Sequence, residues 1–288
     1  MKKFLFLGGD LRMLYAAEYL NKGYGCFAYG FENAEEFPVP NISELIPCDY
    51  AVLPLPASAD GRHINMPYHR ENLDLDVLVS AVKRGGTVFT GKSCPYLERL
   101  CEENDLTLKN YFSREELQIM NAVPTAEGAL EIMLSELPVT VFGAKVLITG
   151  YGRIGEVMAR MLKALGADVT VAARKWEQLA KASCLGCNTL PFEKLDGTLI
   201  NYDVVINTVP SAVFDRKRLM MLKKDCLLID LASVTGVEDM ELAASVGVKV
   251  IWALSLPGRT APVSAGKIIG KTIENMLGEG GGKVDGRD

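Results

Sequence analysis

One stretch constrains the fold more than any other: VLITGYGRIGEVMARMLKALGADVTVAARK, residues 146–175. An apolar strand runs into Gly150-Tyr151-Gly152-Arg153-Ile154-Gly155, an amphipathic helix follows, and a second strand closes the unit. Strand, glycine turn, helix and strand in this order place the two strands in one parallel sheet with the helix over its face. Each glycine has its own task. Gly150 permits the tight turn, Gly152 lets the backbone approach a pyrophosphate, and Gly155 lets helix and strand pack closely. The helix start, with Arg153 and Ile154, presents unpaired N–H groups and the positive dipole end to phosphate oxygens. A glycine turn that binds nothing is the alternative, and the strand before it and the helix after it speak against that.

The end of the second strand selects the cofactor. An Asp or Glu there would accept hydrogen bonds from the adenosine ribose and repel a 2′-phosphate. The strand instead ends Ala172-Ala173-Arg174-Lys175, and Asp168 sits at its opposite end. Arg offers a fork of N–H donors for phosphate and a plane that stacks on adenine. Arg174 and Lys175 therefore favour NADP, with NAD still possible; the competing reading makes both solvated cap residues of the next helix. Ligands in open α/β sheets bind beyond the carboxyl ends of the strands. Two later strands end INTVP and IDLAS. Thr208, Val209 and Pro210 are expected along the adenosine or nicotinamide ribose, and Ala232 and Ser233 near the nicotinamide. SLPGRTAP, residues 255–262, is expected to close the site, with N–H groups after Pro257 as donors.

The rest of the chain repeats the strand–helix rhythm, so the expected fold is α/β, with two Rossmann-like doubly wound parallel-sheet domains and a cleft between them. KKFLFLGGD, YGCFAYGF, CDYAVLPLP, TVFTG and LTLKNYF read as strands, and LRMLYAAEYLNKG, DVLVSAVKRGG and CPYLERLCEEND as helices. GRHINMPYHRENLDL reads as a surface loop. In NAVPTAEGALEIMLSELPV, Pro124 and Thr125 read as the start and cap of a helix crossing between domains and running to about Leu137. Residues 1–121 with a returning helix at 265–278 form the expected N-terminal domain, 122–264 the nucleotide-binding domain, and 279–288 a flexible tail.

Composition narrows the class. Of 288 residues, 49% are hydrophobic and 23% charged, and the net charge of −5 lacks the basic footprint of a nucleic-acid binder. No apolar run approaches a membrane span or a secretory h-region. The seven cysteines are scattered, which disfavours a disulfide framework and places the chain in the cytoplasm. Cys184-Leu185-Gly186-Cys187 is a lone pair of ordinary thiols, because a zinc site normally needs four ligands. His63 and His69 read as surface or cleft-rim residues with no carboxylate or cysteine cluster beside them, so no metal is expected.

GGDLR, LPLP, NAVPTAEGAL, GYGRIG, VTVAAR, INTVPS, IDLAS and LPGRTAPVSAGKII together resemble the dipicolinate synthase A-subunit family from end to end. The resemblance implies an architecture like that of the D-2-hydroxyacid dehydrogenases. It also implies NADP-dependent oxidation of dihydrodipicolinate, formed from 4-hydroxy-tetrahydrodipicolinate, to dipicolinate during sporulation. A flavoprotein-like B-subunit of dipicolinate synthase, a mother-cell location and a homo-oligomeric state come with it. A small dicarboxylate substrate needs cations or N–H donors. Arg12 is one candidate, against its reading as a surface helix residue. Thr125 and Glu127 are others, against a helix cap and a dipole partner. Ser58 borders the same expected cleft. Glu127 is the candidate base, although aromatisation itself drives proton loss. The late His of D-2-hydroxyacid dehydrogenases is missing, which disfavours their reaction. Two rivals follow: another NAD(P)-dependent oxidoreductase of that type, and a non-catalytic NADP-binding subunit.

Overall fold

The structure, a computed structural model, describes residues 1–34, 39–40 and 44–279. It contains two compact units, Met1–Asn121 with Ala261–Asp288, and Ala122–Thr260. The first unit runs β1 (Lys3–Leu7), α1 (Leu11–Leu20), β2 (Gly25–Tyr29), β3 (Cys48–Val52), α2 (Leu78–Ala81), β4 (Val82–Thr90), α3 (Pro95–Glu103) and β5 (Thr107–Asn110). Its five strands are parallel in the order β2-β1-β3-β4-β5. Side chains alternate faces along a strand. Phe4 and Phe6 therefore enter one apolar core while Leu5 and Leu7 enter the other. A sheet apolar on both faces must be covered on both, which makes it doubly wound.

A long helix, α4 (Glu115–Glu136), leads into the second unit. There follow β6 (Lys145–Thr149), α5 (Arg153–Ala164), β7 (Asp168–Ala173), α6 (Trp176–Cys184), β8 (Asn188–Pro191), β9 (Val204–Asn207), α7 (Arg216–Met221), β10 (Leu227–Asp230), α8 (Met240–Ser245), β11 (Lys249–Trp252) and α9 (Leu256–Thr260). All six strands are parallel, in the order β11-β10-β9-β6-β7-β8. That is the dinucleotide-fold order, with the direction of winding reversing between β6 and β9. Alternation repeats here: Val146 and Ile148 face one core, Leu147 the other. The expected fold class holds in both units. The chain ends in α10 (Pro262–Glu279), which belongs to the first unit.

Several local expectations need correction. α4 starts at Glu115, not at Pro124, which lies inside the helix. Glu115 and Glu116 suit the first turn of the helix dipole. Pro124 removes the N–H that would meet the Met120 carbonyl, and Met120 is exposed, where solvent can answer it. Thr125 is thus a buried helix-interior residue rather than a cap. Glu127 lies more than three turns from the helix start, beyond the reach of a terminal dipole effect.

DVLVSAVKRGG forms a short 3-10 turn and the single turn of α2, after which β4 already begins at Val82. Three valines and two glycines in this stretch favour that outcome. The loop at 61–75 is not a surface loop, because Ile64, Met66 and Leu75 are buried. Residues 256–260, within the segment expected to close the site, form α9. Glu279, assigned to the tail, is the last residue of α10, and Arg114 holds it through contacts of 2.8 and 2.5 Å. Residues 280–288 of that expected tail lie outside the described residues.

α10 packs on α1 through two glycines one turn apart. A Cβ at Gly266 would stand 2.5 Å from the Arg12 carbonyl oxygen, and one at Gly270 would stand 3.0 Å from that of Ala16. These neighbours are backbone atoms and cannot swing aside. Gly266→Val is therefore expected to destabilise the protein by about 1–3 kcal/mol through overpacking. Thermal unfolding followed by circular dichroism measures it, and an unchanged midpoint would disprove the close approach.

Candidate functional site

In the second unit a cavity of about 400 Å³ lies at the carboxyl ends of the strands, where the winding reverses. That volume falls within the usual range for small-molecule sites. The turn Gly150-Tyr151-Gly152-Arg153-Ile154 forms one wall and Thr208-Val209-Pro210 another. Ala172, Ala173 and Arg174 from the end of β7, with Gln178 and Phe192, complete it. Its charged lining residues are Arg153 and Arg174, with no carboxylate among them.

The three motif glycines are required for different reasons. Gly150 has φ +89°, and a Cβ there would stand 2.5 Å from Thr208 Oγ1. Thr208 is fixed in that place, since its N–H and Oγ1 both donate to the Thr149 carbonyl, at 3.0 and 2.9 Å. A Cβ at Gly155 would stand 2.4 Å from the Gly150 carbonyl oxygen. Gly152 is different: its φ of −92° suits any residue, and a Cβ would meet nothing within 4 Å. The fold does not need glycine at 152.

Arg174 is exposed and lines the cavity. Lys175 does not line it; this residue is the N-cap of α6 and lies 3.7 Å from Glu177, with both side chains largely exposed. For Lys175 the cap geometry is what the structure shows. Sequence reading missed Tyr151, Ala172, Ala173, Gln178 and Phe192 as cavity residues. Gln178 stands in the first turn of α6 and donates from Nε2 to the Tyr151 carbonyl at 3.2 Å. Its signal was its place just after the strand end. Phe192, just past β8, carried none. Burial, then the charge of Glu156, pushes the Tyr151 hydroxyl pKa above its ordinary value.

Ala232, Ser233 and Pro257 are not among the lining residues of this cavity. Ala232 is buried; its N–H donates to Asp230 Oδ1 at 3.1 Å and its carbonyl accepts from Trp252 Nε1 at 2.9 Å. Ser233 is exposed. Pro257 is buried in α9, and the next N–H, that of Gly258, donates to the Ser255 carbonyl at 3.1 Å.

Arg12 is not a surface residue. Its side chain is 9% exposed and grips Asp10, Nε to Oδ1 at 2.9 Å and Nη2 to Oδ2 at 2.7 Å. Burial works against its charge, but the Asp10 carboxylate outweighs it and the pKa is raised. Glu127 is exposed. Ser58 Oγ donates to Asp60 Oδ1 at 3.0 Å.

Each histidine makes a close contact with a carboxylate. His63 Nδ1 lies 2.6 Å from Asp60, and His69 Nδ1 lies 2.6 Å from Glu32. The reason is chain folding, which brings Glu32 beside His69 across a long sequence gap. Among the described residues no group of three or more such side chains could hold a metal ion, and no helix is long and apolar enough to cross a membrane. Cys184 is exposed and Cys187 buried, both as free thiols.

Gly152→Ala is expected to leave the unfolding midpoint nearly unchanged, within about 0.5 kcal/mol of stability, while abolishing dinucleotide binding. Gly150→Ala is expected to lose more than about 1 kcal/mol, because alanine at positive φ is strained. Parallel melting curves and nucleotide titrations check both. A Gly152→Ala protein that binds like wild type would remove the ligand from this turn.

Comparison with known proteins agrees with this architecture. Residues 3–112 match the family of the dipicolinate synthase A-subunit N-terminal domain, and residues 125–255 match the D-isomer specific 2-hydroxyacid dehydrogenase NAD binding domain family. The dipicolinate synthase A-subunit of Bacillus subtilis (strain 168) is 29% identical over 291 residues, 96% of each chain. The crystal structure of the A-subunit from Bacillus halodurans superposes with a TM-score of 0.86 at 29% identity, covering 96% of this chain and 97% of the other. The corresponding crystal structure from Bacillus subtilis gives 0.83 at 28% identity, covering 96% of both. Over nearly its whole length the chain is thus similar to dipicolinate synthase A-subunits, with an N-terminal domain of their family and a nucleotide-binding domain of the 2-hydroxyacid dehydrogenase family.

Proposed function

We propose that this chain oxidises a dihydrodipicolinate to dipicolinate with NADP, working beside a second protein of the dipicolinate synthase B-subunit type. The observation that carries the reading is the cavity beyond the glycine turn, in a chain similar over 96% of its length to the dipicolinate synthase A-subunit. The residues fit a dinucleotide. Gly150, Gly152 and Gly155 shape the turn, and the N–H groups at the start of α5 meet the pyrophosphate. Thr208, Val209 and Pro210 border the ribose side. Arg174 answers the 2′-phosphate, with Lys175 adding charge nearby. Ala232, Ser233 and Pro257 flank the nicotinamide end.

Bound nicotinamide supplies a two-electron hydride acceptor. The protein's part is to bind and orient. The ring loses one hydride and one proton, and aromatisation drives the proton loss. On this reading Arg12 meets a substrate carboxylate with the N–H donors that Asp10 leaves over, for a guanidinium carries five. Thr125 donates to the substrate, and Glu127 takes the proton. Sporulation in a mother cell and a homo-oligomeric state are the corresponding biological expectations.

One observation favours a second reading, a nucleotide-binding subunit without its own catalysis. Among the cavity-lining residues there is no Asp, Glu, His, Cys or Lys. The two readings separate on one assay. The chain is supplied with freshly formed dihydrodipicolinate precursor and NADP or NAD, with and without a B-subunit homologue, and both nicotinamide reduction and pyridine absorbance are followed. Coupled rise of the two supports the oxidoreductase. Binding without reduction in every combination supports the regulatory role and ends the substrate assignment.

Arg174→Asp is expected to weaken NADP binding by about 1.5–3 kcal/mol, the range for a hydrogen bond to a charged group, while NAD binding stays nearly constant. Calorimetric titration measures both, and equal NADP affinity in mutant and wild type would refute the role of Arg174.

A further inference from the structure

Beneath the cavity, three polar side chains from three adjacent strands form one fully buried chain. Thr149, Asn207 and Asp230 end β6, β9 and β10, and each is 0% exposed. Asp230 Oδ1 accepts from Asn207 Nδ2 at 2.8 Å and from the Ala232 N–H at 3.1 Å. Asp230 Oδ2 accepts from Thr235 Oγ1 at 3.0 Å and from the Gly236 N–H at 2.6 Å. Among the described residues this carboxylate forms no ion pair, so these four donors must offset its burial.

Asn207 is equally committed. Its Oδ1 accepts from Thr149 Oγ1 at 2.7 Å and from the Val209 N–H at 3.1 Å, and its Nδ2 also donates to the Val209 carbonyl at 3.1 Å. Gly236 fits directly on this amide, since a Cβ there would stand 2.4 Å from Asn207 Nδ2. The Gly236 carbonyl then accepts from the N–H groups of Val213 and Phe214, at 3.0 and 2.8 Å.

We propose that Asp230 is a positioning residue of the nucleotide site: through Asn207 it fixes the Thr208–Pro210 wall, and through Ala232 and Gly236 the loop after β10. The inference rests on the dinucleotide reading given above. Its chemical basis is that both Asp230 oxygens face only donors. An amide at 230 would turn its NH2 toward the Asn207 amide and the Ala232 N–H, or toward the Gly236 N–H, so at least one backbone N–H loses its acceptor in either orientation. In the first orientation the Asn207 amide also loses its acceptor and the Val209 pair is lost with it; in the second the loop after β10 loses its hold at Gly236. Thr149 connects the same network to the glycine turn, because its carbonyl holds Thr208.

The test compares Asp230→Asn and the milder Thr235→Val with Leu228→Ala. Leu228 lies on the same strand, is fully buried and faces the apolar core, so its truncation costs stability without touching the network. NADP and NAD affinities are titrated at a temperature where each variant remains folded, and backbone amide exchange is read over residues 207–211 and 231–237. Asp230→Asn is expected to weaken both dinucleotides about tenfold or more, with faster exchange in both loops. Thr235→Val shows the same pattern at smaller size, and Leu228→Ala keeps wild-type affinity. Retained affinity or unchanged loop exchange in Asp230→Asn overturns the proposal, as does an affinity loss that Leu228→Ala shares. Wild-type protein that binds neither dinucleotide removes instead the reading on which the proposal stands.

Discussion

Parallel strands cannot be joined by a tight turn; each needs a crossover that carries the chain back over one face of the sheet. Both sheets here are parallel throughout, so all strands of a sheet deliver their carboxyl ends to one edge. Where successive crossovers leave toward opposite faces, the edge opens into a crevice. The two units meet this constraint differently. In the first, the chain fills the place itself: the Gly9 N–H donates to the Asn65 carbonyl at 2.8 Å, and a Cβ at Gly8 would stand 2.2 Å from Met66 Cγ. In the second, the corresponding place between β6 and β9 is left as the cavity.

Glycine records which close approaches the fold makes and which it leaves for something else. At Gly155, Gly236, Gly266 and Gly270 the missing side chain makes room for this chain's own atoms. At Gly152 it makes room for none. Packing therefore accounts for glycine at the first four positions, and at Gly152 only the spacing of the motif and its place in the cavity wall single the residue out.

The continuous apolar strands and the glycine turn were legible in the sequence, because both signals are local. The limits of α4 were not. Pro124 looks like a helix start, yet a single proline in a helix of 22 residues costs only the Met120 carbonyl its partner, and packing of the rest outweighs it. The buried loop at 61–75 escaped because polar residues surround Ile64 and Met66, and Met66 packs against distant Gly8 and Gly30. At the site, residues adjacent to the glycine turn could be named, but Phe192 could not, since its position depends on how β8 pairs with β7. The buried chain of Thr149, Asn207 and Asp230 joins residues dozens of positions apart. Only the strand order brings them together.

Arg174 is exposed, so a 2′-phosphate beside it stays in contact with water and salt. Exposed ion pairs contribute about 0–1 kcal/mol, and a charge-assisted hydrogen bond with good geometry raises that to about 1.5–3. A single guanidinium in this position can therefore set a preference of about ten- to a hundredfold, and no more, unless a second cation or the closing of the site over the phosphate adds to it. Lys175 does not line the cavity, and its exposed side chain lies 3.7 Å from Glu177. On the proposed reading the preference for NADP therefore stays within that range, and NAD remains usable.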